Sequence, residues 1–125
     1  SHNPEGMDKF SKVMEKYFKS KKKTIIFAVL ADKDYGAMIR KVLRVADRLI
    51  LTSSHTDRSL PVAELQQKTE EIMEKRSNGI KMPAEVYAMD SVENSLNYAL
   101  KISGTNDIIC ITGSPTNLAG LDRII

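Results

Sequence analysis

Two hydrophobic rhythms alternate along the chain. Between residues 4 and 18, Met7, Phe10, Val13, Met14, Tyr17 and Phe18 recur at spacings of three and four, which predicts a helix with one apolar face. Residues 24–30 form an unbroken β-branched and aromatic run, the pattern of a strand buried on both faces. Helical spacing returns with Met38, Ile39, Val42, Leu43 and Val45, and strand character with residues 48–52. A third helix is expected to begin near Pro61, to carry Val62, Leu65, Ile72 and Met73, and to end at Asn78-Gly79. Residues 85–89 read as a weaker strand. Asp90 followed by Glu93 has the spacing of a capping box for a helix faced by Val92, Leu96, Ala99 and Leu100, with Gly104 at its end. Residues 107–112 give a last buried strand, and Gly113-Ser114-Pro115-Thr116 lead into a final helix containing Leu118 and Leu121.

Five helices and four strands in strict alternation, with short connections, predict parallel strands joined by right-handed crossovers. The expected class is α/β: a Rossmann-like, doubly wound, mostly parallel sheet with helices on both faces. At 125 residues the chain suits one domain. It opens on a helix start with no strand before it and no initiator Met, so a first strand is expected just upstream of Ser1. The expectation is a single domain, 1–125, cut from a larger protein.

Composition narrows the functional classes. Hydrophobic residues at 42% and charged residues at 28% describe a globular chain, and no apolar run approaches the roughly 20 residues of a membrane-spanning helix. The formal charge of +3 is concentrated in Lys19, Lys21, Lys22 and Lys23 beside Lys16, which reads as a solvated helix end favoured by the helix dipole and not as a nucleic-acid surface. The single Cys110 lies inside an apolar run and excludes a disulfide framework, which makes a reducing, cytoplasmic home the expectation. No targeting signal is visible at the N-terminus. Neither a G-x-x-x-x-G-K-[ST] phosphate loop, a G-x-G-x-x-G fingerprint nor a G-x-S-x-G elbow occurs, and the two histidines and one cysteine lack metal-ligand spacing.

In open α/β sheets ligands collect at the carboxyl ends of the strands. The segments to consider are therefore Ala31-Asp32-Lys33-Asp34-Tyr35, Thr52-Ser53-Ser54-His55, Asp90-Ser91 and Thr112-Gly113-Ser114, together with His2-Asn3-Pro4-Glu5-Gly6. Asn3 is a good N-cap before Pro4, and His2 would stand at the mouth of that helix, although on spacing alone a surface histidine beside an ordinary cap is favoured. Either Asp32 or Asp34 could cap the following helix, while Lys33 between them could meet an acidic substrate or steady a neighbouring domain. Arg58 is a further partner for carboxylate or phosphate, His55 reads as a solvated loop residue, and Gly113-Ser114 is either an anion-binding turn or simply a turn.

Read together and in order, His2-Asn3-Pro4-Glu5-Gly6, Ala28-Val29-Leu30-Ala31-Asp32-Lys33-Asp34-Tyr35, residues 58–61 and Ile111-Thr112-Gly113-Ser114 resemble the C-terminal domain of folylpolyglutamate synthases, members of the Mur ligase superfamily. The resemblance spans nearly the whole chain. It implies a Rossmann-like α/β domain and an ATP-dependent ligation in which a folate's γ-carboxyl is phosphorylated and the amine of L-glutamate then attacks. The phosphate loop, the magnesium ligands and most folate contacts would belong to a larger N-terminal ATPase domain. ATP and Mg2+ would thus serve the full-length enzyme, with none held tightly by this domain and no activity expected of it alone.

By the same resemblance, His2 is the active-site contact to nucleotide or incoming glutamate, with Asn3 shaping its turn. Ser114 would contact glutamate, and Lys33, Asp34 and Arg58 would line the substrate and domain-facing edge. The family reads D-G-A-H-N-P where this chain begins with Ser1, and Pro115-Thr116-Asn117 replace the apolar and aromatic residues usual after the T-G-S motif. Dihydrofolate synthase activity of bifunctional members is not separable here. Two other readings remain open: a free-standing receiver-like module using Asp32, Asp34 and Asp90, or the C-terminal domain of another Mur-type ligase.

Overall fold

A computed structural model describes residues 4–18, 20–54, 56–76 and 82–112. Their elements run α1 (Pro4–Tyr17), β1 (Lys23–Phe27), α2 (Tyr35–Val45), β2 (Arg48–Leu51), α3 (Val62–Glu74), β3 (Glu85–Ala88), α4 (Val92–Ile102) and β4 (Ile108–Thr112). The fifth helix expected after Pro115 lies outside the described residues, as do Asn78 and Gly79. Pro4 occupies the first helical position, where its missing N–H costs no hydrogen bond.

The four strands form one parallel sheet in the order β3-β2-β1-β4. Its two faces are covered by different helices. Ile25, Phe27, Leu49, Leu51 and Cys110 pack with Met14 of α1, Met38, Ile39, Val42 and Leu43 of α2, and Leu65 and Ile72 of α3. On the opposite face Ile26, Ile50, Ile109 and Ile111 meet Val92 and Ala99 of α4, with Tyr87 and Tyr98 in edge-to-face contact beside them. Successive residues of a strand point to opposite faces, so an apolar residue at every position is what a doubly covered strand requires. All five residues of β1 are buried, as are all five of β4.

Several boundaries depart from the pattern for physical reasons. The apolar run 24–30 continues past the strand end, but Val29 and Leu30 change partners and leave the parallel ladder. Lys23 is buried and not solvated with its lysine neighbours. It begins β1, donates from Nζ to the Lys21 carbonyl at 2.9 Å, and lies 3.7 Å from the Asp47 carboxylate, which also accepts the Lys23 main-chain N–H at 2.7 Å. Helical spacing places Val13 and Leu100 on core faces, yet they are 43% and 54% exposed. Each sits at the margin of its stripe, one residue from a buried Met14 or Ala99.

The cap of α4 is Ser91 rather than Asp90: Ser91 Oγ accepts the Asn94 main-chain N–H at 3.0 Å, and Asp90 instead accepts the Asn94 side-chain amide at 2.7 Å. On the same face Arg48 bonds Glu85 at 3.0 Å and Asp107 at 3.5 Å, tying β2 to edge strand β3 and to the turn before β4. Glu85 also accepts the Tyr87 hydroxyl; this bond, then the one from Arg48, holds its carboxyl below the usual range.

Two stability outcomes follow. Replacing the fully buried Leu43 with Ala should cost about 2–5 kcal/mol in urea unfolding, the range for a truncated core leucine. Ser91→Ala should cost about 1 kcal/mol and Asp90→Ala clearly less; the reverse order would restore Asp90 as the cap.

Candidate functional site

The chain leaves β1 toward β2 and β3 and later returns to the other side of β1 to form β4. Strand order therefore reverses between β1 and β4, and the crevice outside their carboxyl ends is the place where an open α/β sheet receives a ligand. Past β1, the Ala28 N–H still reaches the Thr112 carbonyl at 3.3 Å. Beyond that point the chain meets the loop following β2. The Val29 carbonyl accepts the Leu60 N–H at 2.8 Å, and the Ala31 N–H donates to the Arg58 carbonyl at 2.8 Å, forming an antiparallel bridge at Leu30 and Ser59.

The loop fastens itself as well. Ser53 Oγ donates to the Leu60 carbonyl, and Ser59 Oγ accepts the Ser54 N–H, both at 2.9 Å. By contrast the Thr52, Ser54 and Thr56 hydroxyls lie out of water without a hydrogen-bond partner.

This bridge sets the charged side chains of the edge. It carries Arg58 to Asp32, with Nη2 to Oδ2 at 2.9 Å, although both side chains are more than half exposed. The hydrogen bond from Arg58, aided by its positive charge and that of Lys33, holds the Asp32 carboxyl below the usual aspartate value against the opposing effect of desolvation. Asp34 caps α2 by accepting the Ala37 N–H at 3.3 Å, and its carbonyl accepts the Met38 N–H at 3.2 Å. Lys33 is half-buried between the two aspartates, its N–H bonded to the Leu30 carbonyl at 3.2 Å.

Of the residues picked out by sequence, Lys33, Asp34 and Arg58 therefore come together on one edge, with Asp34 occupied as a helix cap. His2, Asn3 and Ser114 lie outside the described residues, as does His55. Asp32 was legible as a possible cap or as part of a receiver-like acidic set; its pairing with Arg58, 26 positions away, needs the backbone bridge and leaves no local trace.

Two kinds of chemistry do not fit this edge. Among the described residues no group of three or more His, Cys, Asp or Glu is arranged to hold a metal ion. Magnesium prefers carboxylate oxygens with several waters, whereas Asp32 is engaged by Arg58 and Asp34 by a helix N–H. A receiver-like acidic cluster is likewise not assembled from Asp32, Asp34 and Asp90. The first two follow β1, Asp90 follows β3, and β2 lies between those strands. No described helix is long and apolar enough to cross a membrane.

An NMR titration of the side-chain carboxyls should find Asp32 below the ordinary aspartate value, rising toward it in Arg58→Gln. Because the folded-state value is the lower one, any stability from the pair is present at neutral pH and fades as pH falls from the ordinary range through the depressed value. With both groups so exposed the contribution is small, so the melting temperature of Arg58→Gln should barely change. An unchanged Asp32 titration would show that the pair does not persist in solution.

Comparison with known proteins agrees with this architecture. The sequence pattern described as "Mur ligase, glutamate ligase domain" matches residues 1–115. The dihydrofolate synthase/folylpolyglutamate synthase of Bacillus subtilis (strain 168) is 25% identical over 114 residues, 91% of this chain and 24% of that protein. Mycobacterium tuberculosis folylpolyglutamate synthase complexed with ADP superposes with a TM-score of 0.72 at 20% identity, covering 91% of this chain and 26% of the other. E. coli FolC in complex with DHPP and ADP gives a TM-score of 0.74 at 18% identity, covering 91% and 24%. The chain thus spans about a quarter of the length of the relatives it matches. With the parallel sheet, the reversal beside β1 and the match across residues 1–115, the chain belongs to the Mur ligase glutamate ligase domain family.

Proposed function

We propose that this chain is the C-terminal domain of an ATP-dependent folylpolyglutamate synthase, which adds L-glutamate to the γ-carboxyl of a folate's glutamate tail. One observation carries the reading: the family match runs from residue 1 to residue 115, so it takes in both the His2-Asn3 segment and the Gly113-Ser114 turn as well as the edge described above. The Bacillus relative, named for folate chemistry, favours this substrate class over peptidoglycan precursors.

In this reading the reaction has two steps. The folate carboxylate oxygen attacks the γ-phosphorus of ATP and ADP departs; the glutamate amine then attacks the acyl carbon, phosphate leaves with the C–O bond electrons, and the amine loses a proton. The acyl phosphate must be kept from water while the amine is held in line, so such a ligase needs a domain that closes over its site. This chain supplies the closing surface. His2 would meet the nucleotide or incoming glutamate, with Asn3 ordering its turn, and Ser114 would hydrogen-bond glutamate. Lys33 and Arg58 would meet carboxylates at the domain-facing edge, while Asp34 fixes the start of α2 behind them.

ATP and Mg2+ would be held mainly by an N-terminal ATPase domain, in keeping with the absence of a phosphate loop from the sequence. A cytoplasmic setting suits the lone, buried Cys110.

A chimera in which this chain replaces the corresponding quarter of the Bacillus relative should add glutamate to folate, whereas the chain alone with ATP, Mg2+, folate and glutamate should not. His2→Ala in the chimera should lower kcat by about a hundredfold, within the range for loss of one acid–base or electrostatic contact, without lowering the melting temperature. A folded but inactive chimera, or turnover by the isolated chain, would refute the assignment.

A further inference from the structure

An open groove of about 260 Å3 lies between α2 and α3. Among the described residues, five cationic side chains line it, Arg40, Arg44, Lys68, Lys75 and Arg76, against one carboxylate, Glu71. None of Asp32, Lys33, Asp34 or Arg58 contributes. The whole chain carries only +3, so this concentration of positive charge is a local feature and not a reflection of general basicity.

The sequence hides the cluster because its members come from two helices. Arg40 and Arg44 are one turn apart on α2, Lys68 lies within α3, and Lys75 and Arg76 follow that helix. Above the first turn of α2, a methyl group added at Gly36 would lie 3.6 Å from Lys68 Cε and 3.7 Å from Arg40 Nη1, so these two side chains converge from opposite walls.

Arg76 is the member held most firmly. Its Nη2 donates to the Arg40 carbonyl at 2.7 Å, bridging the groove, while its Nη1 is shielded from water with no hydrogen-bond partner. Burial first, then the positive fields of Arg44 and Arg40, push its pKa below the usual arginine value. A guanidinium N–H shut away from both water and an acceptor is unfavourable, and like charges facing one another across a partly dry groove repel. An anion entering the groove would relieve both.

We propose that the groove between α2 and α3 binds a multiply charged phosphate anion, such as the diphosphate group of free pyrophosphate or of a nucleotide. Guanidinium forks match tetrahedral oxyanions and Lys68 adds a mobile point charge, while the volume is several times the about 30 Å3 that one water occupies in the liquid. Among the described residues no aromatic side chain lines the groove to offer a stacking platform for bases, which favours a compact phosphate over a nucleic-acid strand. This site stands independently of the ligase assignment, because it uses no residue of the carboxyl edge.

Calorimetric titration of the 125-residue chain with sodium pyrophosphate at low ionic strength should give saturable one-to-one binding. ATP should bind no more tightly than tripolyphosphate, since adenine has nothing to stack on; tighter ATP binding would move the site elsewhere. The double variant Arg44→Gln/Lys68→Gln should weaken pyrophosphate binding at least about tenfold with an unchanged melting temperature. Lys101→Gln, which removes a charge from α4 on the other side of the sheet, should leave affinity within about twofold. No saturation by about 5 mM pyrophosphate, equal weakening by Lys101→Gln, or bound single-stranded RNA that pyrophosphate fails to displace would each overturn the proposal.

Discussion

The right-handedness of β-α-β crossovers governs this molecule. The strand order β3-β2-β1-β4 runs outward from β1 in one direction through β2 and β3, then returns to the opposite side for β4. A right-handed crossover moving one way places its helix on one face, and one moving the other way places it on the opposite face. Hence α2 and α3 share a layer while α4 is the one described helix on the opposite face. The same reversal parts the connections at the carboxyl ends of β1 and β4, so the crevice is a consequence of chirality and strand order, before any side chain is chosen.

Rigidity at that edge comes first from the main chain. A lone salt bridge between exposed groups contributes little and would not hold a loop. Here the placing is done by main-chain bonds: Val29 and Ala31 exchange hydrogen bonds with Leu60 and Arg58, so the guanidinium of Arg58 is delivered beside Asp32 by the backbone. Asp34 then closes the start of α2 by accepting the Ala37 N–H.

Much of this was legible in the residue pattern, for identifiable reasons. Strands covered on both faces leave continuous apolar runs, so β1 and β4 were plain, and the stripe of α2 matched its buried residues Met38, Ile39, Val42, Leu43 and Val45 one for one. Local pattern failed where a partner distant in sequence decided the outcome. Lys23 looked like one more solvated lysine until Asp47 was brought beside it, and Val29 and Leu30 looked like strand until the 58–60 segment took their hydrogen bonds. Asp90 and Ser91 are both good caps, and only the backbone geometry chooses between adjacent candidates. At the candidate site, motifs brought out Lys33, Asp34 and Arg58, whereas the Asp32–Arg58 pair emerges only from the fold.

The two charged surfaces differ in kind, and the difference bears on what each can do. At the carboxyl edge Asp32 and Arg58 answer one another within bonding distance, so that pair can be covered without stranding either charge. Between α2 and α3, among the described residues, five cations face the single carboxylate of Glu71, and the Arg76 guanidinium keeps a shielded N–H without an acceptor. A protein surface covering that groove would have to bring carboxylates of its own to the same points. A small mobile anion adjusts its position to the guanidinium forks and avoids that requirement, so the balanced edge suits a domain and the unbalanced groove suits an ion.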